Sequence, residues 1–85
     1  MAHVTPDIRQ VLADHARLSV DAATLDERAD LYQAGMTSHA SVNVMLAVED
    51  AFDIEFPDSM LKRGVFESIA AIEDAVRTIR EGAAA

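Results

Sequence analysis

The feature that most constrains this chain is a long run without helix breakers. From Met36 to Phe56 there is neither glycine nor proline, and Gly35 and Pro57 bound the run. Inside it Val44, Val48 and Phe52 recur at i, i+4 and i+8, with Met45 and Ala47 beside them. That periodicity predicts one amphipathic helix over about 38–53 with this face inward. On that reading Phe52→Ala costs about 3–5 kcal/mol, whereas Glu49→Ala on the opposite face is nearly silent for folding. His39, Val42, Asn43, Leu46, Glu49, Asp50 and Asp53 share the outward side, which is apolar and neutral first and acidic later. Ile54 and Phe56 then return to the core, and Pro57 forbids further helix.

The rest of the chain must cover the inward face. Met1 to Val4 read as a frayed end. Thr5-Pro6-Asp7 predicts a helix start, with a hydroxyl cap, proline at the first helical position and an acid in the first turn. Ile8, Val11, Leu12, His15 and Leu18 follow at helical spacing, giving a first helix over about 6–18 with His15 as a partly buried packing histidine. Residues 19–37 form a long connection, pinned by Leu25, Ala29, Leu31 and Tyr32, with a short turn at Asp26-Glu27-Arg28 and a permissive backbone at Gly35. Asp58 to Gly64 reads as a short third helix, and Val65-Phe66-Glu67 as a connector. Ser68 caps a last helix with Ile69, Ile72, Ala75, Val76 and Ile79 on its stripe. Gly82 begins a fraying tail. The expected fold is all-α, a four-helix bundle with a long first loop, in a single domain over 1–85 whose ordered core is about 5–81.

Charge and chemistry narrow the function. The 85 residues carry 15 acids against 7 bases, a net charge of −8. This argues against nucleic-acid phosphates and anionic membrane surfaces as partners. Between Arg28 and Lys62 there is no base, while Asp30, Glu49, Asp50, Asp53, Glu55 and Asp58 lie there, so a partner of this section should be basic. There is no cysteine, hence no disulfide and no thiol nucleophile; any thioester chemistry needs a sulfur from an attached group. No apolar run reaches the ~20 residues that span a bilayer, and the early charges leave no signal region. A cytoplasmic monomer is expected.

No catalytic constellation or metal site emerges. Asp50, Asp53, Glu55 and Asp58 lack the spacing and glycine of a calcium loop. A carboxylate pair would need a cleft to face across, which so small a bundle does not offer. His3, His15 and His39 share no metal-ligand spacing. Ser38 and His39 do not form a nucleophile pair, because adjacent helix positions do not face each other. A helix-start serine is most often an N-cap. Ser38, however, follows a glycine turn, opens an amphipathic helix and precedes an acidic, aromatic corner.

The run Leu31-Tyr32-Gln33-Ala34-Gly35-Met36-Thr37-Ser38-His39-Ala40-Ser41-Val42, continued to Phe52-Asp53-Ile54-Glu55-Phe56-Pro57-Asp58, resembles the central motif of acyl carrier proteins. In that family the serine at this place receives a 4'-phosphopantetheine arm from coenzyme A. The resemblance covers most of the chain and implies attachment at Ser38, since Ser41 has the wrong spacing to the corner. It also implies a phosphopantetheinyl transferase, a loading ligase and a downstream transferase as partners, docking on His39, Val42, Asn43, Leu46, Glu49 and Asp50. The commonest family tripeptide is Asp-Ser-Leu, whereas this chain has Thr37-Ser38-His39. Thr37, Ala40 and Asn43 also stand where fatty-acid carriers have acids. The run Asp30-Leu31-Tyr32-Gln33-Ala34-Gly35-Met36-Thr37-Ser38, with Ala40-Ser41-Val42 after it, is similar to small stand-alone bacterial carriers that take amino acids from synthetase-like ligases. The alternatives are an acyl carrier of fatty-acid or polyketide type, and an acidic interaction module or inhibitor without covalent cargo.

Overall fold

The computed structural model describes residues 4–83. Three α-helices, α1 (Val4–His15), α2 (Ser38–Phe52) and α3 (Ile69–Ala83), enclose one core, and two 3-10 turns precede α3. Residues 1–3 and 84–85, including His3 and most of the ends expected to fray, lie outside the described residues.

Helix α1 begins at Val4, ahead of the Thr5-Pro6 start read from the sequence. Proline is tolerated there because the first four helical amides have no partner in the helix anyway. The helix also ends earlier than Leu18. Ala16 still donates to the Leu12 carbonyl at 2.9 Å, but Arg17 takes a left-handed φ of 56° and ends the helix. His15 is exposed, a correction to the packing role expected for it, because Leu12 and Ala16 occupy the inward positions.

The long connection is held at several points. Leu31 is fully buried, with Ala22 and Met36 close to it in exposure, while Leu25 and Tyr32 pack at the edge of the core. The Leu31 amide donates to the Glu67 carbonyl, and the Ala70 amide, in the first turn of α3, donates to the Glu27 carbonyl. The loop thus satisfies an amide that α3 itself cannot. One guanidinium nitrogen of Arg9 reaches the carbonyls of Ala22, Ala23 and Leu25, clamping α1 to the loop. Both the amide and the hydroxyl of Ser19 donate to the Ala34 carbonyl. Next to it Gly35 has φ +119°, and a Cβ there would stand 3.1 Å from the Ser19 nitrogen. A side chain would be strained at that φ and crowded against the Ser19 backbone.

The inward face of α2 is Ala40, Val44 and Val48, all buried. Phe52 is only half-buried at the edge of this face, so its truncation costs less than the sequence pattern implies. The helix stops at Phe52 because Asp53 is left-handed, φ 54° and ψ 51°, with its amide on the Glu49 carbonyl. Ile54 donates to the same carbonyl, and the Glu49 carboxylate accepts the Phe56 amide at 2.9 Å.

The fourth helix expected at 58–64 is replaced by 3-10 turns at Asp58–Met60 and Arg63–Phe66. Leu61 (φ −84°, ψ 64°) and Lys62 (φ −127°, ψ 150°) leave helical geometry between them, so Gly64 falls inside the second turn rather than ending a helix. This break lets Phe66 reach Phe56, their rings meeting edge-on at 5.2 Å. Ser68 caps α3 through its hydroxyl on the Ala71 amide, and Ile69, Ile72, Ala75 and Val76 are buried as the periodicity predicts. No buried polar or charged residue is found among the described residues.

Candidate attachment site

The start of α2 separates its three hydroxyls by function. Thr37 is the N-cap, extended at φ −83° and ψ 166°, and its Oγ1 accepts the Ala40 amide at 3.0 Å. Ser41 is half-buried and its hydroxyl donates to the Ser38 carbonyl at 2.6 Å. Ser38 stands between them at the first helical position, exposed, with its hydroxyl bonded to no other described residue. Capping, the commonest employment of a helix-start serine, belongs here to its neighbour.

Electrostatics favours an anion at this place. The first amides of α2 have no intrahelical partner, and the positive end of the helix points the same way. Beside Ser38 a groove of about 260 Å³ opens, walled by Val42, Met45 and Phe66 and rimmed by Tyr32, Lys62 and Arg63. The Arg63 guanidinium lies 3.8 Å from the centre of the Tyr32 ring, and the Tyr32 hydroxyl donates to the Arg63 carbonyl at 3.4 Å. An exposed, uncommitted hydroxyl next to an apolar groove with a cationic rim suits a phosphate-linked aliphatic group.

The outward residues of α2 occupy one arc leading away from Ser38. His39, Val42, Asn43, Leu46 and Asp50 are exposed, with Val42 at 49% and Leu46 at 53%. Glu49 is half-buried because its carboxylate holds the Phe56 amide. Ala40, which stands where fatty-acid carriers have an acid, is buried. On the far side of the arc Asn43, Leu46 and Asp50 meet Val11 and His15 of α1 around a second open groove. Among the described residues no group of three or more His, Asp or Glu side chains is arranged to hold a metal ion, and no helix is long and apolar enough to cross a membrane.

A family model described as the phosphopantetheine attachment site matches residues 6–76. The chain belongs to this carrier-protein family. An aminoacyl carrier protein of Agrobacterium fabrum is 52% identical over 75 residues, covering 88% of this chain and 90% of that protein. The carrier fold also matches a crystal structure of an engineered Bradyrhizobium japonicum glycine:[carrier protein] ligase complexed with a carrier protein from Agrobacterium tumefaciens and ATP. There the TM-score is 0.87 and the identity 51%, over 91% of this chain and 100% of that one. A B. japonicum glycine:[carrier protein] ligase complexed with glycylated carrier protein gives a TM-score of 0.71 at 31% identity, over 84% and 95% of the two chains.

Sequence reasoning placed Ser38 at the start of α2 and the arc on its outward side, but did not bring Tyr32, Lys62 and Arg63 to the groove that Ser38 lines. The one available signal was that Lys62 and Arg63 end the base-free interval. Arg9, the loop clamp, carried none, since its acceptors are backbone carbonyls of distant residues.

Proposed function

We propose that this chain is a discrete aminoacyl carrier, modified at Ser38 and loaded by a synthetase-like ligase. The observation that carries the reading is the division of labour at the start of α2. Thr37 takes the cap, Ser41 bonds the helix backbone, and Ser38 is left with a free hydroxyl on a rigid support. On modification the Ser38 oxygen forms a phosphodiester, the pyrophosphate of coenzyme A breaks, and the serine proton leaves with the adenosine bisphosphate half. Bound there, the arm supplies the thiol that a chain without cysteine lacks.

The chain's own residues then position and present. The helix-start amides favour the phosphate. Gly35, Ser19 and Ala34 fix the loop that delivers the serine. A tether keeps the cargo at high effective concentration near any enzyme docked on α2. His39, Val42, Asn43, Leu46 and Asp50 form the docking arc, with Glu49 at its edge. Apolar contact near Ser38 sets the residence time of the complex and Asp50 steers a basic partner surface. The amino-acid cargo is supported by the identity to the A. fabrum aminoacyl carrier protein. It is supported too by the likeness to carriers crystallised with glycine:[carrier protein] ligases. The carrier acts as a cytoplasmic monomer that visits a phosphopantetheinyl transferase, the ligase and a downstream transferase in turn.

The test is loading. The arm-bearing protein is incubated with ATP, single amino acids and aminoacyl:[carrier protein] ligases, and its intact mass is followed. The expected result is an added amino acid with a ligase of this class, glycine first, that is removed by a thiol nucleophile. Acylation only by fatty-acyl ligases would overturn the aminoacyl reading.

A further inference from the structure

We infer that Lys62 and Arg63 form a seat for the phosphodiester on Ser38, so that the first segment of the arm lies in the groove between α2 and residues 61–66. This rests on the carrier reading and adds a site to it. The chain is acidic overall and has no base between Arg28 and Lys62, so α2 itself offers the phosphate no cation. The break in helical geometry at Leu61 and Lys62 turns the next two bases onto the groove that Ser38 lines.

Neither cation is spent on an acid. Within the described residues the ion pairs formed by arginine are those of Arg77 with Glu73 and Asp74, and neither Lys62 nor Arg63 has an acidic partner. Arg63 is also held in place: its guanidinium lies on the Tyr32 ring, and the Tyr32 hydroxyl bonds its carbonyl. A guanidinium held over an aromatic ring still has N–H donors to offer phosphate oxygens. Val42, Met45 and Phe66 provide apolar walls for an aliphatic segment. Both side chains are exposed, so the seat is a screened, salt-sensitive contact.

The experiment compares isotope-labelled protein before and after arm attachment, at low and high salt, by nitrogen-resolved and phosphorus NMR. The wild type, Lys62→Gln, Arg63→Gln and the double variant are used, with Arg80→Gln on α3 as control. Attachment should shift the resonances of Lys62, Arg63 and the Arg63 side-chain nitrogen together with those of residues 38–41. The phosphorus line should narrow in the double variant and in the wild type at high salt, and stay unchanged in Arg80→Gln. Lys62→Gln leaves the Tyr32 stack intact and should give part of the narrowing without loss of fold. An attached arm that perturbs only 38–41, with the same phosphorus line in all proteins, would overturn the seat and leave the carrier reading standing. An intact mass showing no arm on the wild type would overturn both.

Discussion

The Glu49 side chain leaves the outward arc of α2 to accept the Phe56 amide, while its carbonyl receives the amides of Asp53 and Ile54. It is a clamp for the corner that closes α2, which revises the expectation that its removal is silent. Glu49→Ala should cost about 1–3 kcal/mol, the range for leaving a buried donor without its partner. Glu49→Gln, which keeps an acceptor, should cost less, and Asp50→Ala should stay within about 0.5 kcal/mol. Urea unfolding midpoints measure all three; equal, negligible effects would remove the clamp. The sequence showed that Glu49 is outward by helical phase, but phase says nothing of a backbone amide that returns after a left-handed residue. Ser38 was singled out by a glycine turn, a helix and a spaced corner, which are all local signals. That Thr37 rather than Ser38 takes the cap was not, since either hydroxyl could bond the same turn.

Among the elements, α2 and α3 were readable from period alone; Ile69, Ile72, Ala75 and Val76 of α3 are buried as the pattern names, whereas on α2 Val44 and Val48 are joined by Ala40 and Phe52 stays at the edge. The 58–64 segment was misread because capping signals at Asp58 and Gly64 favour a helix, whereas packing Phe66 against Phe56 requires extended geometry between. The long loop behaves as a core element. Leu31→Ala, which empties a fully buried site, should cost about 2–5 kcal/mol, while Leu46→Ala, 53% exposed, should stay within about 0.5 kcal/mol. Thermal or urea unfolding of the pair provides the check, and a near-equal cost would mean that the loop does not pack as described. Leu46→Ala should act instead on the ligase complex, through faster dissociation.

The whole molecule is strongly acidic, and its bases are used sparingly: Arg9 holds a loop, Arg77 pairs within α3, and Lys62 and Arg63 face the groove beside Ser38. Self-repulsion along Asp30 to Asp58 should therefore lower stability in dilute buffer. Exposed charges interact weakly beyond ~10 Å in 0.1 M salt, so moderate salt or millimolar magnesium should raise the Tm by a few degrees; a fall would show the acids already compensated. Reversing Asp50 to Lys should slow ligase association and flatten its salt dependence while leaving dissociation nearly unchanged. If Ser38 is the hydroxyl that carries the arm, the most direct measurement is to map where the arm attaches. Wild type, Ser38→Ala and Ser41→Ala are incubated with coenzyme A and a broad-specificity phosphopantetheinyl transferase, and the products are digested and sequenced by mass spectrometry. The account predicts an adduct on Ser38 in the wild type and in Ser41→Ala, and none in Ser38→Ala. An adduct that survives Ser38→Ala and disappears with Ser41→Ala would contradict it.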